Sequence, residues 1–427
     1  MRAMQIIRRL CEPCLEHVHA SRFKAVLRAV EGIILAQRIS LTAIGRALRG
    51  DQQPRHGIKM MDRLLGNTKL SKERLHWYSA IATKIAGRER RLVVLLDWTQ
   101  LHGEFWALVA AVAFEGRAIP ILASAHHESQ LGSRKLQTRF LEELRRILPD
   151  RCKPLIVADG GFRSPFFAAC REARFDFVIR LRNERGMAKF AKRVRGHRAW
   201  SPIKFGEIFK WARLAVQCFG RGMPFCGSVH REECRLVLGP APRKFSKRAR
   251  YADDYERKRA TEPWFLATSL QNEPAEAVIA IYATRMQVEE CFRDTKNARF
   301  GWGLEFSATR STARLDVLLL LASIAFAAVI LVGTAASEAG IEKRFRASSL
   351  KKRVLSLFSL GNLAARSAAL ARMRMHEVWK HLEALRRVSR QLFPSVAEIA
   401  SSERLRGRWV SHEEFCSNCG WNSHLPR

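Results

Sequence analysis

The pattern of apolar and polar residues changes character once along the chain, near Arg91. Before this point, apolar residues recur with helical spacing, and no strand-like alternation is present. The predicted helical segments are 23–34, a helix that follows Ser40 as its N-cap, 59–65, and 72–85 with Ser71 as the candidate N-cap. The spacing therefore predicts an all-helical domain over residues 1–90.

After Arg91, short continuous apolar runs of the kind found in buried strands alternate with amphipathic helical segments. The predicted strands are 92–98, 105–114, 118–126, 154–162, 175–182 and 263–270, and the predicted helices are 139–148 and 165–173. Three strands followed by helix, strand, helix and strand indicate an α/β fold with a mixed sheet. The basic, irregular stretch from residue 183 to about 262 indicates an insertion, with a short strand at 234–239.

Two further helices are predicted after residue 274. Pro274 opens a long helix over 275–297, and the almost wholly apolar segment 317–332 forms another, ahead of an Arg-rich helical region. Segment 317–332 is somewhat short for the roughly 20 residues that span a bilayer. We expect a buried core helix there, with a membrane span as the alternative.

The net charge of the chain indicates what kind of molecule it binds. The 427 residues include 75 Lys and Arg against 40 Asp and Glu, a formal net charge of +35, while 47% of the residues are hydrophobic. That apolar content excludes a disordered chain. The charge indicates a polyanionic partner, nucleic acid first and an anionic membrane surface second. The helical region 1–90 is expected to bind DNA.

The ten cysteines do not form the pattern of a disulfide framework, and no apolar signal segment begins the chain. Two CxxC pairs, Cys11 with Cys14 and Cys416 with Cys419, lie at opposite ends of the sequence. Zinc sites usually combine two such pairs at set spacing. Packed thiols are therefore the expectation, and a zinc site is the alternative.

Two acidic residues directly follow apolar runs: Asp97 and Asp159. In α/β sheets, ligands gather at the carboxyl ends of strands. A single Asp in such a place is most often an ordinary turn residue, but two of them in neighbouring core strands favour a shared site.

The predicted helix 275–297 carries a narrow polar stripe. Tyr282, Arg285, Glu289 and Lys296 fall within about 60° of its circumference, and Arg293 lies at the stripe's edge. One acid among basic residues and a tyrosine suits a metal-assisted phosphodiester site, in which the acid holds a cation and the bases hold phosphates. The alternative is a solvated face with pairs such as Glu289 and Arg293.

This spacing, Y-x(2)-R-x(3)-E-x(6)-K, resembles the signature of bacterial insertion-sequence transposases of the DDE class, in the insertion-sequence-four family. Further segments resemble that family in order and spacing: 56–67, 93–100, 154–162, 262–270, 281–296 and 301–311. The resemblance implies a ribonuclease H-like catalytic domain over residues 91–310 with a β-rich insertion at about 183–270. Helical N- and C-terminal regions, 1–90 and 311–427, would flank it.

For the site, the resemblance implies that Asp97, Asp159 and Glu289 are a catalytic triad. Together they would hold two Mg²⁺ ions, for which Mn²⁺ can substitute, since hard cations prefer oxygen ligands.

DNA contacts are also implied for Tyr282, Arg285 and Lys296, and Arg293 beside them is a further candidate. Trp264 matches the family position at which an indole stacks on a flipped base, a contact worth ~1–3 kcal/mol. A Trp packed against the sheet is the alternative at that position.

The implied activity is cut-and-paste transposition, with cleavage at terminal inverted repeats and strand transfer into target DNA. The implied assembly is a homodimer on double-stranded DNA, in the bacterial cytoplasm at the nucleoid, with no membrane partner. A catalytically inactive DNA-binding descendant that regulates transposition is the main alternative, but it would be expected to have lost an acid. A non-transposing nuclease on the same fold is a second alternative.

Overall fold

The computed structural model describes most of the first 366 residues. The described ranges are 2–48, 53–87, 90–162, 164–181, 223–224, 233–239, 264–345 and 355–366. The predicted insertion therefore lies largely outside them, as do the C-terminal residues 367–427.

The described part of residues 1–90 is mainly helical. Its helices are α1 (Arg2–Cys11), α2 (Ala20–Ala36), α3 (Leu41–Ala47), α4 (Pro54–Leu65) and α5 (Thr68–Ala86). Ser40 caps α3, because its hydroxyl accepts a hydrogen bond from the Ala43 N–H at 3.3 Å. The prediction of Ser71 as the cap of α5 is wrong: Asn67 accepts from the Leu70 N–H at 2.9 Å, so the helix begins one turn earlier.

An eight-stranded mixed sheet forms the centre of the described structure. Its strands are β1 (Arg91–His102), β2 (Phe105–Phe114), β3 (Arg117–His127), β4 (Lys153–Ala158), β5 (Asp176–Arg180), β6 (Met223–Pro224), β7 (Glu233–Gly239) and β8 (Trp264–Thr268), in the order β3-β2-β1-β4-β5-β8-β7-β6. β4 runs parallel to β1 and to β5, while every other pair is antiparallel. The predicted mixed α/β fold is confirmed, and it fits a ribonuclease H-like domain.

The hairpin between β2 and β3 turns where the sequence signals a turn. Glu115 and Gly116 both have positive φ angles, 41° and 86°, which suit a tight two-residue hairpin. Consecutive residues 107–114 of β2 are all buried. Because neighbouring residues of a strand point to opposite faces, this part of the sheet is covered on both sides.

Helices α6 (Arg134–Ile147) and α7 (Ser164–Glu172) follow β3 and β4. The predicted helix 275–297 is two helices, α8 (Ala275–Ala283) and α9 (Met286–Lys296), so the prediction of one continuous helix is wrong. Four backbone bonds at the junction span only three residues: the N–H groups of Thr284, Arg285, Gln287 and Val288 donate to the carbonyls of Ile281, Tyr282, Thr284 and Arg285. The Thr284 hydroxyl also donates to the Ile281 carbonyl at 2.7 Å. These tightened bonds interrupt the α-helical hydrogen-bond pattern between α8 and α9.

The long apolar helix α10 (Thr312–Glu338) is long and apolar enough to cross a membrane, by length and composition. Here it is almost entirely buried inside the protein, packed against β3, α2, α5 and the following helix α11 (Leu357–Arg366). Its buried residues belong to the same continuous core as those of the N-terminal helices and the sheet. This burial therefore fits the expected core helix better than it fits a membrane-spanning helix.

A polar cluster lies where α5, β3, α10 and α6 (Arg134–Ile147) meet. Arg74 of α5 binds Glu143 of α6 at 2.6 Å and the Ala123 carbonyl at 3.2 Å. Asp316 of α10 accepts a hydrogen bond from the Ala125 N–H at 2.7 Å. Burial raises the pKa of Asp316 to about 6, against the opposing effects of Arg74 and of the Ala125 bond.

This raised pKa predicts a pH-dependent stability difference for Asp316→Asn, which keeps an acceptor for Ala125 and removes the titrating group. The native state holds the Asp316 proton more tightly than the unfolded state, so the stabilisation is complete at low pH and is lost as the pH rises through about 6. Between roughly pH 4.5 and 7.5 the variant should gain about 1–3 kcal/mol in free energy of unfolding relative to the wild type. Urea unfolding of both proteins measures this, and a constant difference across the range would contradict it.

Candidate active site

The first two predicted acids lie side by side at the end of the β1–β4 pairing. The last paired residues are Leu96 and Ala158, so Asp97 and Asp159 are the next residue on each of two parallel strands. Equivalent positions on adjacent strands share a face of the sheet. The sequence placed Asp97 at the end of its strand, and this is wrong. Strand β1 continues past Asp97 to His102 by pairing with β2.

Each of these carboxylates is oriented by a backbone donor. The Trp98 N–H donates to Asp97 Oδ1 at 2.9 Å, and the Gly161 N–H donates to Asp159 Oδ1 at 2.7 Å. A Cβ atom at Gly161 would lie 2.9 Å from the same Asp159 oxygen, which is too close for an ordinary contact. Gly161, two residues after Asp159, therefore lets the turn pass close to the carboxylate.

Helix α9 brings the third acid, Glu289, to the same place, and Arg285 joins it to the sheet. Arg285 Nη1 donates to Asp97 Oδ2 at 2.8 Å, and Nη2 donates to Glu289 Oε1 at 2.5 Å. The Arg285 side chain is only 10% exposed. The guanidinium therefore bridges the acid of β1 and the acid of α9.

The electrostatics place all three carboxylates around this one cation. Burial raises the pKa of Asp97 to about 7; Arg285 opposes this rise, and the negative charges of Asp159 and Glu289 add to it. Burial acts to lower the pKa of Arg285, but Tyr282 and the three carboxylates outweigh it, so that pKa is raised. The structure thus brings Asp97, Asp159 and Glu289 within electrostatic reach of one another.

The donor chemistry of this cluster fits a hard divalent cation, because all three side chains offer carboxylate oxygens. The side chains of the cluster are not arranged as cation ligands in this structure, however. Within the described ranges, no three acidic, histidine or cysteine side chains lie close enough together to hold a metal ion. Arg285 holds oxygens of two of the three acids instead.

Lys296 lies two helical turns beyond Glu289 and also faces β1. Its Nζ donates to the Thr99 hydroxyl at 2.9 Å, and Thr99 is two residues after Asp97 on the same strand face. Burial lowers the pKa of Lys296, against the opposing effect of Glu305. A second basic side chain therefore lies on the same sheet face as the acids.

The other predicted DNA contacts differ in their exposure. Trp264 is 7% exposed and Tyr282 is 2% exposed, and their rings meet edge to face with centroids 4.9 Å apart. Arg293 is 45% exposed and binds Glu290 with 3.2 Å between its Nη1 and the Glu290 Oε1. Among the five, Arg293 therefore has the most surface open to a DNA backbone.

Two contacts that sequence reasoning missed fix α9 to the β2–β3 hairpin. The Phe114 N–H donates to Gln287 Oε1 at 2.9 Å, and Arg117 forms a buried ion pair with Asp294. Arg117 also lies 3.3 Å from Glu290. These contacts flank Glu289 along the helix and so set its position over the sheet. Arg117 and Asp294 are 177 residues apart, and no local pattern links them.

The N-terminal CxxC pair is buried. Cys11 and Cys14 are free thiols, and burial raises the pKa of both. The second pair, Cys416 and Cys419, lies outside the described residues.

One comparison with known proteins bears on this site. A family model described as "Transposase DDE domain" matches residues 88–326, more than half of the 427 residues. The matched region contains Asp97, Asp159 and Glu289 together with the strands and helices that position them. No curated protein matches the chain significantly.

The buried pair of Arg117 and Asp294 predicts a large loss of stability in Arg117→Gln. The variant leaves Asp294 buried with less compensation, which should lower the free energy of unfolding by about 3–5 kcal/mol. The second variant, Arg117→Gln with Asp294→Asn, removes both charges and should recover much of that loss. Chemical denaturation measures each value.

The matched control is Arg293→Gln on the same helix, where an exposed pair with Glu290 is lost and a change of less than about 1 kcal/mol is expected. Equal losses in Arg117→Gln and the control would show that the buried pair does not anchor α9.

Proposed function

The chain belongs to the family of transposases with a DDE domain, and on this premise we propose that it performs cut-and-paste transposition of an insertion sequence. Transposases act on DNA, and the proposed substrates are the terminal inverted repeats of the element and its target DNA. Within the family we assign the chain to the insertion-sequence-four group, where it resembles the transposase of the tetracycline-resistance transposon. The observation that carries the proposal is that Arg285 bridges Glu289 to Asp97, which lies beside Asp159 at the end of the β1–β4 pairing.

We propose Asp97, Asp159 and Glu289 as the ligands of two Mg²⁺ ions, with Mn²⁺ as a substitute. Bound there, the cations would activate the attacking oxygen and stabilise the leaving oxygen of a phosphodiester. A backbone N–H donates to each of Asp97 and Asp159, so one oxygen of each carboxylate is oriented before any ligand binds.

The proposed reaction is a series of exchanges at phosphorus. Water nicks one strand at the transposon end, and the freed 3′-hydroxyl attacks the opposite strand to form a hairpin. Water reopens the hairpin, and the 3′-hydroxyl is joined to target DNA. Each exchange forms one P–O bond and breaks one, so the same three acids can serve every step, and no covalent bond to the protein is needed.

Basic and aromatic side chains beside the acids are the proposed DNA contacts. Lys296 and Arg293 would bind backbone phosphates, for which their charge and donors are suited. Trp264 would stack on a flipped base, for which the Tyr282 ring must first move from the edge of the indole. The helices of residues 1–90 would bind the transposon end.

The assembly proposed for catalysis is a homodimer on DNA, and the proposed location is the bacterial cytoplasm at the nucleoid. The alternative, an inactive descendant that binds DNA and regulates transposition, would keep the positive charge without the chemistry. All three acids are present in this sequence, which favours an active enzyme.

Substitution of each acid tests the catalytic assignment. Asp97→Asn, Asp159→Asn and Glu289→Gln should each reduce Mg²⁺-dependent nicking of end DNA by at least about 10³-fold, because each removes a charged cation ligand. End binding, measured by gel shift in the same buffer, should remain. A variant that still nicks at the wild-type rate would remove that residue from the triad, and a wild type that binds without nicking would favour the regulator.

Salt dependence tests the charge argument separately from catalysis. If the basic surface contacts 6–10 phosphates, the affinity for DNA should fall by about 10³–10⁵ between 50 and 200 mM salt. The Arg293→Gln variant should reduce the slope of log K against log salt by about one. Fluorescence anisotropy measures both, and a flat slope for the wild type would contradict electrostatic binding.

A further inference from the structure

Arg285 occupies carboxylate oxygens that two of the three acids would use to bind a cation. Its two terminal nitrogens donate to Asp97 Oδ2 and Glu289 Oε1, and the charge of Asp159 also acts on it. The side chain is almost fully buried. Within the described structure, Arg285 is therefore the cation that compensates the acidic cluster.

We propose that Arg285 is a latch: in the free protein its guanidinium occupies the carboxylate oxygens and blocks the binding of divalent cations. A DNA phosphate binds the guanidinium and displaces it from the carboxylates. This inference rests on the proposed function, and it concerns the order of assembly at the same site. DNA would bind first, and the cations would follow.

Two features of Arg285 suit it to exchange partners. Its Nε is buried and has no hydrogen-bond acceptor among the described residues, so one donor of the guanidinium fork is unused in the latched state. A phosphate can accept two parallel bonds from such a fork, including one from Nε. Phosphate binding would therefore satisfy a donor that the carboxylates leave without a partner.

The position of Arg285 in the chain also favours movement. It stands at the junction of α8 and α9, where the backbone bonds span three residues rather than four. Its side chain is held by hydrogen bonds to two carboxylates and by an interaction with Tyr282, all of which a phosphate would replace. When the guanidinium leaves, Asp97, Asp159 and Glu289 lose their compensating charge, and their mutual repulsion favours a divalent cation in its place.

Such an exchange links the two ligands thermodynamically. If end DNA tightens cation binding by some factor, the cation must tighten DNA binding by the same factor. A protein built this way would assemble its nuclease centre only on DNA.

The test measures Mn²⁺ binding to the full-length protein by electron paramagnetic resonance, with and without a pre-cleaved duplex of the transposon end. That duplex offers no bond to cut at the end, so binding is read without turnover. Binding to DNA alone is subtracted, and the Asp159→Asn variant identifies the signal that comes from this site. In the wild type, DNA should tighten Mn²⁺ binding by about tenfold or more, and Mn²⁺ should tighten DNA binding equally.

Arg285→Met removes the latch charge and keeps a long side chain. It should bind Mn²⁺ without DNA about tenfold more tightly than the wild type, and DNA should add less than about twofold. The control is Arg139→Met on α6. Arg139 pairs with Glu143 four residues later, as Arg285 pairs with Glu289, and this variant should behave as the wild type. Unchanged or weaker DNA-free binding in Arg285→Met would overturn the latch.

The wild-type measurements keep the proposal falsifiable even if Arg285→Met does not fold. Equal Mn²⁺ affinity with and without DNA in the wild type would refute the latch and leave the proposed enzyme intact. Absence of any Mn²⁺ signal that depends on Asp159, with or without DNA, would instead overturn both the cation site and the latch that rests on it.

Discussion

Negatively charged side chains are crowded at the end of the β1–β4 pairing, and the free-energy cost of their ionisation determines which cation the site needs. Asp97 is buried beside Asp159, and Glu289 is added from a helix, so ionising Asp97 is unfavourable enough to raise its pKa to about 7. A buried charge of this kind needs a partner. In the described structure that partner is Arg285, and any other cation must compete with it.

The surrounding fold serves to hold α9 at the right place over the sheet. The helix begins after a tightened junction that follows α8, and the contacts of Gln287 and Asp294 with the β2–β3 hairpin fix it on either side of Glu289. Lys296 then reaches Thr99 on the strand that carries Asp97. Chemistry-bearing residues far apart in sequence are thereby carried by rigid elements, as precise catalytic positioning requires.

What the sequence could predict depended on how local each signal is. Continuous apolar runs predicted β1, β2 and β3, and the Glu115–Gly116 turn followed from local conformational preference. The break at Arg285 could not be predicted, because residues 282–287 have ordinary helical propensity and the tightened turn depends on tertiary contacts. The pair of Arg117 and Asp294 joins residues too distant for any periodicity to reveal. Helical spacing did place Arg285 and Glu289 on one face, but it could not indicate that Arg285 would pair with Asp97.

The central claim is that three carboxylates form one cation site, and Fe²⁺-directed cleavage of the protein tests it most directly. Fe²⁺ would replace Mg²⁺ in the full-length protein bound to transposon-end DNA, and ascorbate with hydrogen peroxide would generate hydroxyl radicals at the ion. The account predicts backbone cuts close to Asp97, Asp159 and Glu289 together, all suppressed by excess Mg²⁺. Cuts near only one of these residues, or at sites remote from all three, would contradict it.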